Sequence, residues 1–452
     1  MLASVGAVIG GDTATAAPQR PNIVFIMADD LGWGDLSCYG ATDLATPHLD
    51  RLAAQGVRFT DAYANSCVCS PTRIALSTGR YQYRLRAGLE EPIKERPNEA
   101  LGLPPSHPTL ASLLKLGGYS TCLVGKWHMG YLPRFGPLKS GYDQFFGIAS
   151  GGADYFTHKN RGGRPDLYEN ETLSAQAGYL TDLLTARAVT YIRGAAQAPR
   201  PFLLSLHYTA PHWPWEGPAD AARAAELKDL FDFGGGSLAT YAEMVRAMDE
   251  GVGQVLTALD LAGVADDTIV VFTSDNGGER FSRMWPLVGE KGDLLEGGIR
   301  VPAIVRYPAR FPQGVVSSQV AITMDWTATL LALAGAEADP GFPLDGQDLS
   351  PVIQGAAPLS RRRLFWRFVG QGQAAVRDGD LKYLRVGEHE YLFDLKRDPR
   401  ERANLAEAHP ARMDEFRQAF VRWNATMLPD TDIEGYEVGP GQLAGRPASI
   451  AK

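Results

Sequence analysis

The chain has 452 residues, 45% of them hydrophobic and 21% charged, with a formal net charge of −8. Those proportions describe a folded protein rather than a disordered one, and the acidic balance argues against a nucleic-acid partner, which demands a basic excess or stripe. The length exceeds what one hydrophobic core commonly fills, so a large domain with a smaller one attached is expected.

Residues 1–17 are small and mostly apolar, and Ala14-Thr15-Ala16 has the form of a leader cleavage site. We read the end of a secretory signal there and expect a periplasmic or secreted protein. No later stretch reaches the ~20 apolar residues that span a bilayer. Asn22 to Met27 is a β-branched apolar run ending in Ala28-Asp29-Asp30; Phe202 to His207 is a second, and Thr268 to Thr273 a third, ending in Ser274-Asp275-Asn276. Amphipathic stretches lie between them, one with Tyr241, Val245, Met248, Val252, Val255 and Leu259 at helical spacing. Alternating strands and helices predict an α/β sheet covered on both faces. In such sheets ligands sit beyond the carboxyl ends of the strands, where both acidic pairs fall.

Composition shifts over Gln354–Arg361, so we place a catalytic domain at 18–355 and a subdomain at 356–452. The basic run Arg361–Arg363 reads as solvated linker. Short runs at Ala374–Arg377 and Leu381–Arg385 flank the turn signal Asp378-Gly379. Met413, Phe416, Phe420, Trp423 and Met427 then mark one face of a helix, predicting a small antiparallel sheet under a covering helix.

Four cysteines, Cys38, Cys67, Cys69 and Cys122, are too few and too irregular for a disulfide scaffold or zinc knuckle. Cys69 opens the run Cys69-Ser70-Pro71-Thr72-Arg73. Here Ser70 suits an N-cap, Pro71 the first helical position and Gly79 the position past the end. Cys69 then sits at a helix N-terminus, where free N–H groups and the helix dipole favour an anion. Taken alone, a Cys-x-Pro-x-Arg match is equally consistent with a buried structural cysteine. Lys126 and Lys291 alone read as surface lysines, His128 and His212 as core histidines, and the two acidic pairs as helix caps. No motif places His48, His107, His158, His207, His389 or His409, and we give them structural roles.

The longer pattern, Cys69-x-Pro71-x-Arg73 followed by Leu76-x-Thr78-Gly79-Arg80, resembles the first signature of the type I sulfatases, a branch of the alkaline phosphatase superfamily. Thr72 stands where serine is commoner. Gly118-Tyr119 through Gly125-Lys126-Trp127-His128 resembles the second signature. Ala210-Pro211-His212-Trp213-Pro214, Lys291 before Glu296-Gly297-Gly298-Ile299-Arg300, and Leu392-Phe393-Asp394-Leu395 with Asp398-Pro399 and Asn404-Leu405 extend the likeness over the mature chain.

This resemblance implies an α/β fold: an alkaline-phosphatase-like large mixed sheet sandwiched by helices, with a C-terminal antiparallel-sheet subdomain. It implies that a maturation enzyme converts Cys69 to formylglycine, and that Cys69, Arg73, Lys126, His128, His212 and Lys291 form the catalytic set. Asp29, Asp30, Asp275, Asn276 and residue 69 are implied as ligands of calcium, the family's usual ion. A hard, all-oxygen set of three carboxylates and an amide itself favours calcium or magnesium over zinc or copper. The implied reaction releases sulfate from a sulfated carbohydrate or aryl sulfate. Asp275 accepts the nucleophile's proton, His212 or Lys291 serves the leaving oxygen, and His128 assists sulfate release. Two rivals stand beside it: a phosphonate monoester or phosphodiester hydrolase of the same superfamily, and a non-catalytic receptor for sulfated glycans with Cys69 left as a thiol. Trp127, Tyr155, Trp213, Trp215 and Trp285 suit either a sugar or aryl ring or ordinary core packing, and Gly151–Glu171 is expected at the pocket edge.

Overall fold

A computed structural model describes residues 20–94, 101–226 and 235–430; the leader expected over 1–17 lies outside these residues. All three apolar runs form strands, Asn22–Ala28, Phe202–His207 and Thr268–Ser274, lying parallel with Asn22–Ala28 in the middle. Their unbroken apolar character is what a strand covered on both faces requires. Beyond Phe202–His207 the sheet continues through parallel Ser120–Gly125 and Gln144–Ile148, then antiparallel Leu167–Glu169 and Thr172–Leu173. Beyond Thr268–Ser274 come antiparallel Ala303–Arg306, then Val57–Phe59 and Val315–Ser317, completing a mixed sheet of ten strands.

Side chains alternate across this sheet as the strand pleat dictates. Val24 and Ile26 join a core with the helices Pro47–Ala54, Leu180–Ala195 and Leu238–Leu261, while Ile23, Phe25 and Met27 join one with Cys69–Thr78, Leu110–Leu116 and Thr323–Ala334. The periodic residues Tyr241 to Leu259 are all buried in Leu238–Leu261.

Strands Arg363–Phe368, Gln373–Asp378, Leu381–Val386 and His389–Asp394 form a second, antiparallel sheet in chain order. Helix Pro410–Asn424 covers one face, Met413, Phe416 and Phe420 packing on Ala374, Val376 and Leu392. Its other face carries Leu364, Trp366, Ala375, Leu384 and Phe393 into one cluster with Cys67, Ala75, Leu294 and Ile299. The small sheet is therefore a wall behind the segments that carry Cys69 and Lys291. No helix among the described residues is long and apolar enough to cross a membrane. All four cysteines are free thiols.

Candidate active site

Four neighbouring parallel strands end at the same edge, and each releases site residues there. Asn22–Ala28 and Thr268–Ser274 pair in register to Ala28 opposite Ser274, so Asp29-Asp30 and Asp275-Asn276 emerge side by side. No helix follows either pair, which removes the capping reading. Instead the Asp30 N–H donates to Asp275 Oδ1 at 3.3 Å, the Leu31 N–H to Ser274 Oγ at 3.0 Å, and Asn276 Nδ2 to Asp30 Oδ1 at 2.7 Å. Ser120–Gly125 delivers Lys126 and His128, and Phe202–His207 leads to His212. Asp30 (φ 63°) and His128 (φ 51°) hold left-handed backbone, a conformation that costs on the order of 1 kcal/mol or more and concentrates at functional sites.

Cys69 reaches this edge on the first turn of helix Cys69–Thr78. Gly79 ends the helix as expected, at φ 66° with its N–H donating to the Ala75 carbonyl. The start differs from the sequence expectation: Val68, extended at φ −142°, is the N-cap, so Ser70 lies inside the helix and its Oγ accepts the Ile93 N–H at 2.8 Å. Pro71 is still tolerated, because first-turn N–H groups have no intrahelical partner to lose. Arg73, one turn on and fully buried, donates through Nε (3.1 Å) and Nη2 (2.7 Å) to Asp275 Oδ2 and lies 3.6 Å from Asp29 Oδ1.

The remaining expected residues converge on the same point. Lys126 Nζ donates to Asp29 Oδ2 at 2.5 Å and Lys291 Nζ to Asp30 Oδ2 at 2.7 Å. His212 Nδ1 donates to the Trp213 carbonyl at 2.6 Å, so its Nε2 lone pair faces Asp30 Oδ2 at 3.7 Å. Two acceptors facing one another make a place for a shared proton or a cation. His128 Nε2 donates to the Ile93 carbonyl at 2.9 Å and leaves Nδ1 without a hydrogen bond. Burial, then the lysine charges, hold both imidazoles below the usual histidine range and therefore neutral. Lys291 stays charged: burial opposes its ammonium, but Asp30, Cys69, Glu279 and Asp29 together outweigh that. Burial pushes the Cys69 thiol up to about 12 despite Lys126 and Lys291, so unmodified it is a poor nucleophile.

The acidic set fits a divalent cation. Asp29 is raised well above the usual carboxylate range by burial and by Asp275, even with Lys126 and Arg73 beside it. Its Oδ1, like Asn276 Oδ1, is buried without a hydrogen bond. Potential ligand atoms of Asp29, Asp30, Cys69 and His212 lie within 4.8 Å of one another. Orphaned hard oxygens beside closely packed carboxylates are what calcium or magnesium satisfies.

Glu279 escaped the sequence reading. Its Oε2 lies 3.9 Å from Lys291 Nζ, and burial pushes its carboxyl up to about 7; its place three residues past Asn276 was the available signal. Of the five aromatics, Trp127, Tyr155 and Trp215 are buried, and the Tyr155 hydroxyl donates to the Thr209 and His212 carbonyls, so they are core and support. Trp213 tilts against the His212 ring at 4.2 Å. Trp285 is 67% exposed, with the Arg400 guanidinium 4.7 Å from its ring centre. The edge loop opens with Gly151 and Gly152, directly against His128 and His212.

An edge that gathers cations around buried carboxylates is built to receive an anion, and fold and site together define an enzyme acting on anionic esters. Residues 21–336 match the family model described as Sulfatase, and residues 290–420 that described as N-sulphoglucosamine sulphohydrolase, C-terminal. The chain is 35% identical over 395 residues to N-acetylgalactosamine-6-sulfatase of Canis lupus familiaris, covering 82% of this chain and 72% of that one. It is 34% identical over 451 residues to arylsulfatase A of Homo sapiens, covering 86% and 84%. The crystal structure of Ps i-CgsB matches with a TM-score of 0.81 at 31% identity, over 90% of this chain and 93% of that one. The chain belongs to the sulfatase family of the alkaline phosphatase superfamily, and it is a sulfatase.

Proposed function

We propose that this sulfatase releases inorganic sulfate from a sulfated carbohydrate, with residue 69 working as formylglycine and a calcium ion held by Asp29, Asp30, Asp275, Asn276 and residue 69. The observation that carries this reading is the ring of Arg73, Lys126, Lys291 and two neutral histidines around a helix-terminal Cys69 whose thiol is too basic to attack. When present, the ion contributes positive charge at the sulfate oxygens and the hydrated aldehyde contributes a hydroxyl nucleophile.

The chain's own side chains do the rest. Lys126 and Lys291 neutralise the bound sulfate, and Arg73 fixes Asp275, which takes the nucleophile's proton. Lys291, held protonated, donates to the leaving oxygen, and His212 joins it there only after Nε2 has taken up a proton. His128 has a vacant Nδ1 and accepts a proton as sulfate departs. A carbohydrate substrate is favoured because two similar proteins carry saccharides in their descriptions, the N-acetylgalactosamine-6-sulfatase and Ps i-CgsB in complex with k-i-k-neocarrahexaose. Exposed Trp285 offers a sugar ring an aromatic face, and its loop packs at Gly32–Gly34, just past Asp30. Export belongs to the same proposal, and a mature protein beginning near Ala17 is its expected mark.

The deciding measurement is the mass of the tryptic peptide Phe59–Arg73 from protein made with an active maturation enzyme. A residue 69 lighter than cysteine by the thiol-to-aldehyde change is expected. An intact thiol, with a control sulfatase converted in the same cells, defeats the mechanism and leaves a receptor for sulfated glycans. Faster turnover of an aryl phosphonate than of an aryl sulfate points to the phosphonate hydrolase instead. For the ion, calcium at about 100 times its dissociation constant should stabilise the folded chain by about 2.7 kcal/mol; an Asp29→Ala variant should lose that shift in melting temperature.

A further inference from the structure

Lys291 reaches the site from a loop rather than from a strand end. Residues 279–290 leave the edge after Gly278 and return at Lys291, whose N–H donates to the Gly278 carbonyl at 3.0 Å. A lysine stem is long and freely rotating, so holding its ammonium 2.7 Å from Asp30 depends on a fixed backbone beneath it. On the far side of Lys291 the Gly292 N–H donates to the Cys67 carbonyl at 2.9 Å.

The next anchors come from the small sheet. Gln373, first residue of its second strand and 4% exposed, uses both ends of its amide. Its Oε1 accepts the Leu294 N–H at 2.7 Å and its Nε2 donates to the Gly292 carbonyl at 3.2 Å. Two residues further on, the Glu296 N–H donates to Glu401 Oε2 at 2.7 Å, and Lys382 Nζ bridges Glu296 (3.0 Å) and Glu401 (2.9 Å). A primary amide is the side chain that presents a donor and an acceptor together. An apolar residue leaves both backbone groups unmet, and a carboxylate meets only the N–H; a buried backbone group left unmet is costly.

We propose that Gln373 is a positioning residue for Lys291, which makes the C-terminal sheet a working part of the anion site. The inference rests on the role given above to Lys291. The test uses the full chain with Gln373→Met, which removes both bonds at similar volume, and Gln373→Glu, which keeps the acceptor, each alone and combined with Lys291→Ala. Kinetics on 4-nitrophenyl sulfate and affinity for inorganic sulfate are read alongside melting temperature.

Gln373→Met should lower kcat/KM about tenfold or more and weaken sulfate binding in step, with Gln373→Glu intermediate. In the Lys291→Ala background the same change should move both by less than about twofold. Equal losses with and without Lys291 make Gln373 a merely structural residue and overturn the proposal, as does full activity of Gln373→Met. Should Gln373→Met fail to fold, the same comparison on Gln373→Glu decides. Lys291→Ala with unchanged hydrolysis and sulfate affinity instead sinks the role of Lys291 itself, and the single variant reveals that before Gln373 is altered.

Discussion

A methyl group on Gly151 would lie 2.6 Å from the ring of His128, and one on Gly152 would lie 3.1 Å from the ring of His212. The two imidazoles are held by carbonyls at one nitrogen each, so a push from the loop side moves them as rigid plates. Gly151→Ala should therefore lower kcat/KM about tenfold or more, with little change in melting temperature, because the loop lies at the edge of the fold. Unchanged kinetics would show that His128 has room to spare. In the sequence these glycines read only as part of a loop at the pocket edge. Their specific duty depends on which rings approach them, and that is a property of the closed fold. Cys69, Arg73 and the lysines were legible because their chemistry is local to short motifs, whereas Glu279 lay outside every motif and needed the return of Lys291 to give it a partner.

Helix Cys69–Thr78 packs against Thr323–Ala334, with Ile74 and Leu76 sharing a core with Trp326 and Leu330. The Thr327 hydroxyl also donates to the Leu76 carbonyl. Leu330 is fully buried, so Leu330→Ala should cost about 2–5 kcal/mol, seen as a lower melting temperature with the affinity for inorganic sulfate retained. A matching loss of sulfate affinity would mean that the helix, and not the strand edge, sets the site. The end of this helix was readable from Gly79, whose left-handed backbone follows from having no Cβ. Its beginning was not, because Ser70 is spent on Ile93, a partner about twenty residues away in the chain. Strands were readable from unbroken apolar runs, but that Asn22–Ala28 lies between Phe202–His207 and Thr268–Ser274 is a matter of long-range pairing that periodicity does not carry.

At the scale of the molecule, the two sheets are joined by buried charge. Lys382 lies between Glu296 and Glu401, all three without exposure or nearly so. Burial and Glu296 push the Glu401 carboxyl up to about 7 against the pull of Lys382, whereas Lys382, Arg300 and Arg377 overcome burial at Glu296 and hold it near 2. Unfolded, both titrate near 4.5. Between those values and 7 the folded chain binds the extra proton at Glu401, so this group's contribution is full below about 4.5 and is lost as pH rises through about 7. Glu296 acts in the opposite sense, its contribution lost only as pH falls toward 2. Glu401→Gln, neutral throughout, should gain on the wild type as pH rises from about 5 to about 8. A melting-temperature difference that stays constant over that range would refute the assignment.

The burial of Cys69, 2% exposed beneath a ring of charged side chains, also sets an order in time. If residue 69 is converted as proposed above, the converting enzyme would have to meet the chain before Asn22–Ala28 pairs with Phe202–His207 and Thr268–Ser274, far downstream in the chain. Pairings of that span are slow to close, and until they do the ring of side chains around Cys69 is incomplete. On the proposed chemistry, slow assembly of the sheet is that enzyme's window, and a faster-folding variant of this chain should show a smaller converted fraction in the mass of its Phe59–Arg73 peptide.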